Sequence, residues 1–156
     1  MTLELVTTVT ATSKGLAASA VSWLGGQLSA GLLSFQILSA PHPQPRPRLA
    51  RTGAVFYPGV GFAEFRGACQ KQGAACGIKG LDSRLAAVLE FVAPRPKATK
   101  FESPSGDVDN FAKGTLDALT TAGVWLDDRQ IEFLIISKRW VEPGEEPHVN
   151  VNIGEL

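Results

Sequence analysis

The chain has 156 residues, with 15 Lys and Arg balancing 15 Asp and Glu. That length fits one domain with a core of its own, at ~150 residues per domain, and the neutral balance excludes a uniformly basic nucleic-acid binder. The balance conceals a division: residues 41–100 carry ten bases and three acids, whereas 101–156 carry four bases and eleven acids. A basic middle and an acidic end suit a protein that holds phosphates on one patch and cations on another.

Residues 1–33 are nearly uncharged and rich in Thr, Ala, Ser, Gly and Leu. They lack the basic start of a secretory signal. Gly25, Gly26 and Gly31 interrupt the apolar stretch, which falls short of the ~20 residues of a membrane span. The segment reads as an extension outside the domain, partly disordered, with residues 34–156 as the domain proper.

Leu33–Ser39 reads as a core strand. Pro41–Arg51 is a Pro/Arg-rich loop in which proline stiffens the backbone and Arg46, Arg48 and Arg51 project, a form suited to backbone phosphates. Ala54–Tyr57 is predicted as a returning strand. Gly61–Gly77 has Phe62, Phe65, Cys69, Gly73 and Cys76 at helical spacing, which turns Arg66 and Lys71 outward. Cys69 and Cys76 form no CxxC pair and read as buried free thiols of a reducing compartment. Arg84–Val92 is an apolar strand, and Pro94–Ser105 is a breaker-rich loop carrying Arg95, Lys97 and Lys100. Asp109–Thr121 reads as a helix with Asp109 or Asn110 as its N-cap and Gly123 as its stop. Ile131–Trp140 and His148–Ile153 are predicted to close the chain as a hairpin, with His148 and its neighbouring Asn residues facing solvent. The order is β-β-α-β-α-β-β, an α+β domain with a mixed sheet and helices packed on it.

Asp107, Asp109 and Asp128 are the residues from which chemistry is expected. Clustered carboxylates repel one another, and a fold tolerates the cluster when a cation neutralises it. Oxygen ligands without Cys or His favour Mg²⁺ or Mn²⁺ over zinc. In an extended segment Asp107 and Asp109 share a face, and Lys113 follows one helical turn after Asp109. A helix followed by a returning strand is expected to bring Asp128 back beside Asp109. Asp117 reads as a surface acid. Asn110 is left with two roles, helix cap or ligand through its carbonyl.

The segment Gly106-Asp107-Val108-Asp109-Asn110-Phe111-Ala112-Lys113-Gly114-Thr115-Leu116-Asp117-Ala118-Leu119, together with Val124-Trp125-Leu126-Asp127-Asp128, resembles the signature of RusA-type Holliday junction resolvases. Phe35–Leu38 and Pro43-Gln44-Pro45-Arg46-Pro47-Arg48 are similar, more weakly, to that family's first strand and basic turn. Gln44-Pro45 stands where a Lys-Gly pair is common. The resemblance covers residues from about 34 to 156. It implies a cytoplasmic, homodimeric, Mg²⁺-dependent endonuclease of phage or prophage type that resolves four-way DNA junctions by paired nicks. It implies that Asp107, Asp109 and Asp128 hold the metal, that Lys113 acts at the scissile phosphate, and that Asp128 rather than Asp127 faces the site. Arg46, Arg48, Arg51, Arg66, Lys97 and Lys100 are the basic residues expected on DNA. Flap or other branched-DNA cleavage, and junction binding without cleavage, remain alternatives.

Overall fold

The computed structural model describes residues 13–56 and 59–156. In chain order the elements are α1 (Gly15–Gln27), β1 (Leu33–Ile37), β2 (Arg48–Leu49), β3 (Val55–Phe56), α2 (Phe62–Ala75), β4 (Leu85–Ala93), α3 (Val108–Thr121), a 3-10 turn (Asp128–Gln130), β5 (Ile131–Trp140) and β6 (His148–Glu155). The architecture is α+β with a mixed sheet. The four main strands lie in the order β1-β6-β4-β5.

The sheet order follows from how much of each strand is apolar. All nine residues of β4 are buried, so it needs a neighbour on both edges and cover on both faces. Seven of the eight residues of β6 are buried too, and it takes the inner position between β1 and β4, antiparallel to both. β5 keeps Glu132, Phe133 and Leu134 exposed and sits at the edge, parallel to β4. The expected hairpin of β5 and β6 is therefore not formed. The chain passes β4 between them, because a strand arriving through α3 lies parallel to β4 and leaves the opposite edge of β4 to β6.

One face of the sheet carries Phe35, Ile37, Leu89, Phe91, Val149, Val151 and Ile153. These pack against Phe65 and Cys69 of α2 and Phe111, Ala118 and Leu119 of α3. Burial pushes the Cys69 thiol up to about 12, so it behaves as a small apolar side chain. Cys76 is likewise a free thiol, half-buried at the end of α2.

The second face differs from the expectation. Gly15–Gln27, inside the segment read as an extension, is a helix whose Leu24 packs with Ala86, Val88 and Ile135. Residues 1–12 lie outside the described residues. His148, Asn150 and Asn152 do not face solvent; they are buried. Alternation showed correctly that they share a face, but that face is covered. Asn150 Nδ2 donates to Glu90 Oε2 at 2.8 Å and Asn150 Oδ1 accepts from Gln36 Nε2 at 2.8 Å. Arg139 Nε donates to Glu90 Oε1 at 2.9 Å, and its Nη1 and Nη2 reach Glu145 at 2.6 and 2.7 Å. The buried Glu90 charge is thereby paired and hydrogen-bonded, the condition under which a core tolerates one.

The predicted strand around Val55 forms, but it pairs with β2 as a separate two-stranded sheet. Together with α1, β2 is an element that the expected order lacks.

Candidate active site

The approach to α3 is built by a sharp turn. Gly106 has φ +97, and a Cβ there would meet Pro43 Cγ at 3.0 Å and Phe111 Cε2 at 3.3 Å, so only glycine fits. Lys138 Nζ, near the end of β5, donates to the carbonyls of Pro104 at 2.7 Å and Gly106 at 2.5 Å. No pattern in the sequence singles out this lysine, because its role depends on which loop lies above it. Asp107 is the N-cap, two residues before Asp109 and three before Asn110, the caps expected, and its side chain makes no capping bond. Asp109 lies in the first turn, where the helix dipole favours a negative charge.

Asp107 and Asp109 do project together, through the helix N-terminus rather than an extended segment. Their Oδ2 atoms lie 3.2 and 3.5 Å from one atom, Arg46 Nη2. Asn110 Oδ1 accepts from Arg46 Nε at 3.3 Å. Three side-chain oxygens thus converge on one cation, and both carboxylates remain about two-thirds exposed. The Pro/Arg loop is held there by a main-chain bond, Gln44 N–H to the Asn110 carbonyl at 2.9 Å. A groove of about 320 Å³ opens beside the carboxylates, lined by Pro43, Pro45, Arg46, Arg48, Asp107 and Asn110 among others.

Lys113 lies one turn along α3 but reaches Asp117, Nζ to Oδ2 at 3.2 Å, with the lysine end largely in solvent and the aspartate about one-third exposed. Arg48, Arg51, Arg66, Lys97 and Lys100 are all exposed. Arg48 lines the groove. Arg51 sits in the turn between β2 and β3, Arg66 on α2, and Lys97 and Lys100 in the loop between β4 and α3.

Asp128 is placed elsewhere. Leu85, at the start of β4, pairs with Ile131, at the start of β5. The 3-10 turn before β5 is fastened to that end of the sheet by Gln130, which donates to the Leu81 and Ser83 carbonyls at 2.9 and 2.8 Å. Asp127 caps the turn through the Arg129 N–H at 2.9 Å, and its bond with the Arg129 side chain holds its carboxyl below the ordinary range. Trp125 is buried and donates to Thr120 Oγ1 at 2.7 Å, fixing the exit from α3. Asp107 and Asp109 are at the other end of α3, whose 14 residues span about 20 Å at 1.5 Å per residue. The expected return of Asp128 to Asp109 within one chain does not occur. A parallel β4–α3–β5 crossover brings the chain back at the far end of the helix. Accordingly, among the described residues, no three His, Cys, Asp or Glu side chains gather as a metal site.

Among the described residues, no helix is long and apolar enough to cross a membrane. No curated protein matches the chain. The family model Endodeoxyribonuclease RusA matches residues 39–154, a span that begins after β1 and contains the acid pair, Lys113 and Asp128. That match extends over most of the chain, so the chain belongs to the RusA endodeoxyribonuclease family.

Proposed function

We propose that this protein is a Mg²⁺-dependent endonuclease that recognises four-way DNA junctions and nicks them in symmetric pairs as a homodimer. The observation that carries the reading is the convergence of Asp107, Asp109 and Asn110 oxygens on the Arg46 guanidinium, beside a groove that Arg46 and Arg48 make basic. The donor set fits Mg²⁺, which keeps several waters and needs only one or two protein carboxylates. Asp107 and Asp109 would hold it. A bound Mg²⁺ supplies a more acidic water and neutralises charge on the phosphate oxygens.

The protein's own groups account for the rest. With its carboxylate partners taken up by a divalent cation, Arg46 would be free to hold a DNA phosphate, because a guanidinium suits a phosphate as well as a carboxylate. Lys113 moves from Asp117 to the scissile phosphate and stabilises the charge that grows as water adds to phosphorus. The P–O3′ bond breaks, the 3′ oxygen takes a proton, and a 5′-phosphate remains. Arg48, Arg51, Arg66, Lys97 and Lys100 bind the backbone of the arms without reading sequence.

The test is cleavage of an end-labelled synthetic four-way junction in Mg²⁺, with duplex, flap and Y-shaped controls, by the wild type and by Asp109→Asn. Paired nicks lost in the variant support the proposal. Junction binding with no cleavage in Mg²⁺ or Mn²⁺ would leave a binding protein, and preferential flap cleavage would change the substrate.

A further inference from the structure

When a P–O3′ bond breaks, the departing oxygen keeps the electron pair and needs a proton. Carboxylates that hold a cation have none to give, and guanidiniums keep theirs near neutral pH. The groove of about 320 Å³ beside Asp107 is also lined by His42, and imidazole is the side chain that gives and takes a proton in that range. Lys113 is not among the residues lining the groove and reaches Asp117 instead.

Local structure fixes the His42 ring. The residue stands between Pro41 and Pro43, and a residue before proline is held in extended backbone. Pro43 rests on Gly106, where a Cβ would lie 3.0 Å from Pro43 Cγ. The Gln44 N–H donates to the Asn110 carbonyl at 2.9 Å. The loop is thereby clamped to the start of α3 directly after His42. On its other side the ring lies over Gly61, which has φ +94 and where a Cβ would come 2.6 Å from both Cε1 and Nε2. Only glycine gives both that backbone and that clearance. The ring is half-buried, and neither of its nitrogens has a hydrogen-bond partner among the described residues. The other histidine, His148, is buried on the second face of the sheet with Nδ1 2.7 Å from the Glu146 carbonyl. The elements around His42 carry Arg46 and Arg48 on its own loop, Asp107 at the start of α3 and Glu64 in the first turn of α2.

We infer that His42 is the general acid of the cleavage step, its imidazolium giving a proton to O3′ as the P–O3′ bond breaks. The inference rests on the endonuclease reading above. Water adds to phosphorus and loses a proton to solvent, and the electron pair of the breaking bond goes to O3′. The proton from His42 makes a 3′-hydroxyl, the phosphate stays on the 5′ side, and the neutral imidazole regains a proton from solvent. Lys113 then answers the charge on the phosphate and His42 the charge on the leaving atom.

The test compares two four-way junctions in single turnovers with Mg²⁺, one with oxygen and one with sulfur as the 3′ bridging atom at the position the wild type nicks. A thiolate is the weaker base and leaves without a proton. His42→Ala and His42→Gln are expected to cut the oxygen junction about 10²-fold more slowly than the wild type and the sulfur junction at nearly the wild-type rate. Circular dichroism, and junction binding in a gel shift without divalent cation, are expected to stay near wild type; if His42→Ala loses its fold, His42→Gln carries the comparison. Equal losses on both junctions, or no loss on the oxygen junction, overturn the inference. So does a sulfur junction that the wild type cuts only when Mn²⁺ replaces Mg²⁺, because a metal ion would then face the leaving atom. Failure of the wild type to cut either junction would remove the endonuclease reading itself, and the inference with it.

Discussion

Arg46 Nη2 lies 3.2 Å from Asp107 Oδ2, and that ion pair sits where a divalent cation is proposed to bind. An exposed pair of this kind contributes about 0.2–1 kcal/mol. Removing the guanidinium in Arg46→Ala is expected to raise the affinity for Mn²⁺ about two- to fivefold, while junction affinity falls. Calorimetric titration with Mn²⁺ and a gel shift separate the two effects. Unchanged metal affinity would mean that the arginine and the cation do not compete.

Lys113 is proposed to act on the reaction rather than on binding. Lys113→Ala is expected to lower the single-turnover cleavage rate by about 10²-fold with junction binding nearly unchanged. Asp117→Asn, which only frees the lysine, is expected to cost less than about 0.5 kcal/mol of stability and to leave cleavage near wild type. Equal losses in both variants would point to the ion pair itself.

α2 and α3 cross closely at Gly73, where a Cβ would meet Leu119 Cδ2 at 2.7 Å and Ala122 Cβ at 3.1 Å. Leu119 is fully buried and cannot move aside. Gly73→Ala is expected to destabilise the protein by about 1–2 kcal/mol, the overpacking cost less the helix preference for alanine. Urea denaturation measures it, and a gain in stability would show that the crossing can relax.

α1 is tied to the sheet by Leu24, only 3% exposed against Ala86, Val88 and Ile135. Leu24→Ala is expected to cost about 2 kcal/mol. If the helix were a dispensable extension, thermal and urea midpoints would not move.

The Arg139 guanidinium holds the Glu145 carboxyl down to about 2. A folded-state value below the unfolded one means a contribution to stability that is fully present above ~4.3, the ordinary glutamate value. It is lost as pH falls toward about 2. Glu145→Gln is expected to be less stable at neutral pH and to show a shallower loss of stability between those limits. Denaturation midpoints measured across that range test it; parallel curves for variant and wild type would contradict the linkage.

Local patterns were legible in the sequence wherever one face of a segment meets the core. The apolar run of β4, the helical spacing of Phe111, Thr115, Ala118 and Leu119, and the inward face of α2 each report their own burial without reference to the rest of the chain. The acid pair Asp107–Asp109 was legible for the same reason: two residues so close in sequence need only a helix N-terminus to meet. What lay across long sequence separations was decided by the tertiary structure. Alternation put His148, Asn150 and Asn152 on one face, but whether that face is wet depends on what packs over it and on Glu90 and Gln36 across the strands. The inner position of β6 followed from competition among strands for the two edges of β4. The place of Asp128 followed from the direction in which the chain re-enters the sheet after α3, a crossover that carries Asp128 to the far end of the helix from Asp109. Periodicity records which side of a segment is apolar; strand order and direction depend on contacts between segments that periodicity does not encode.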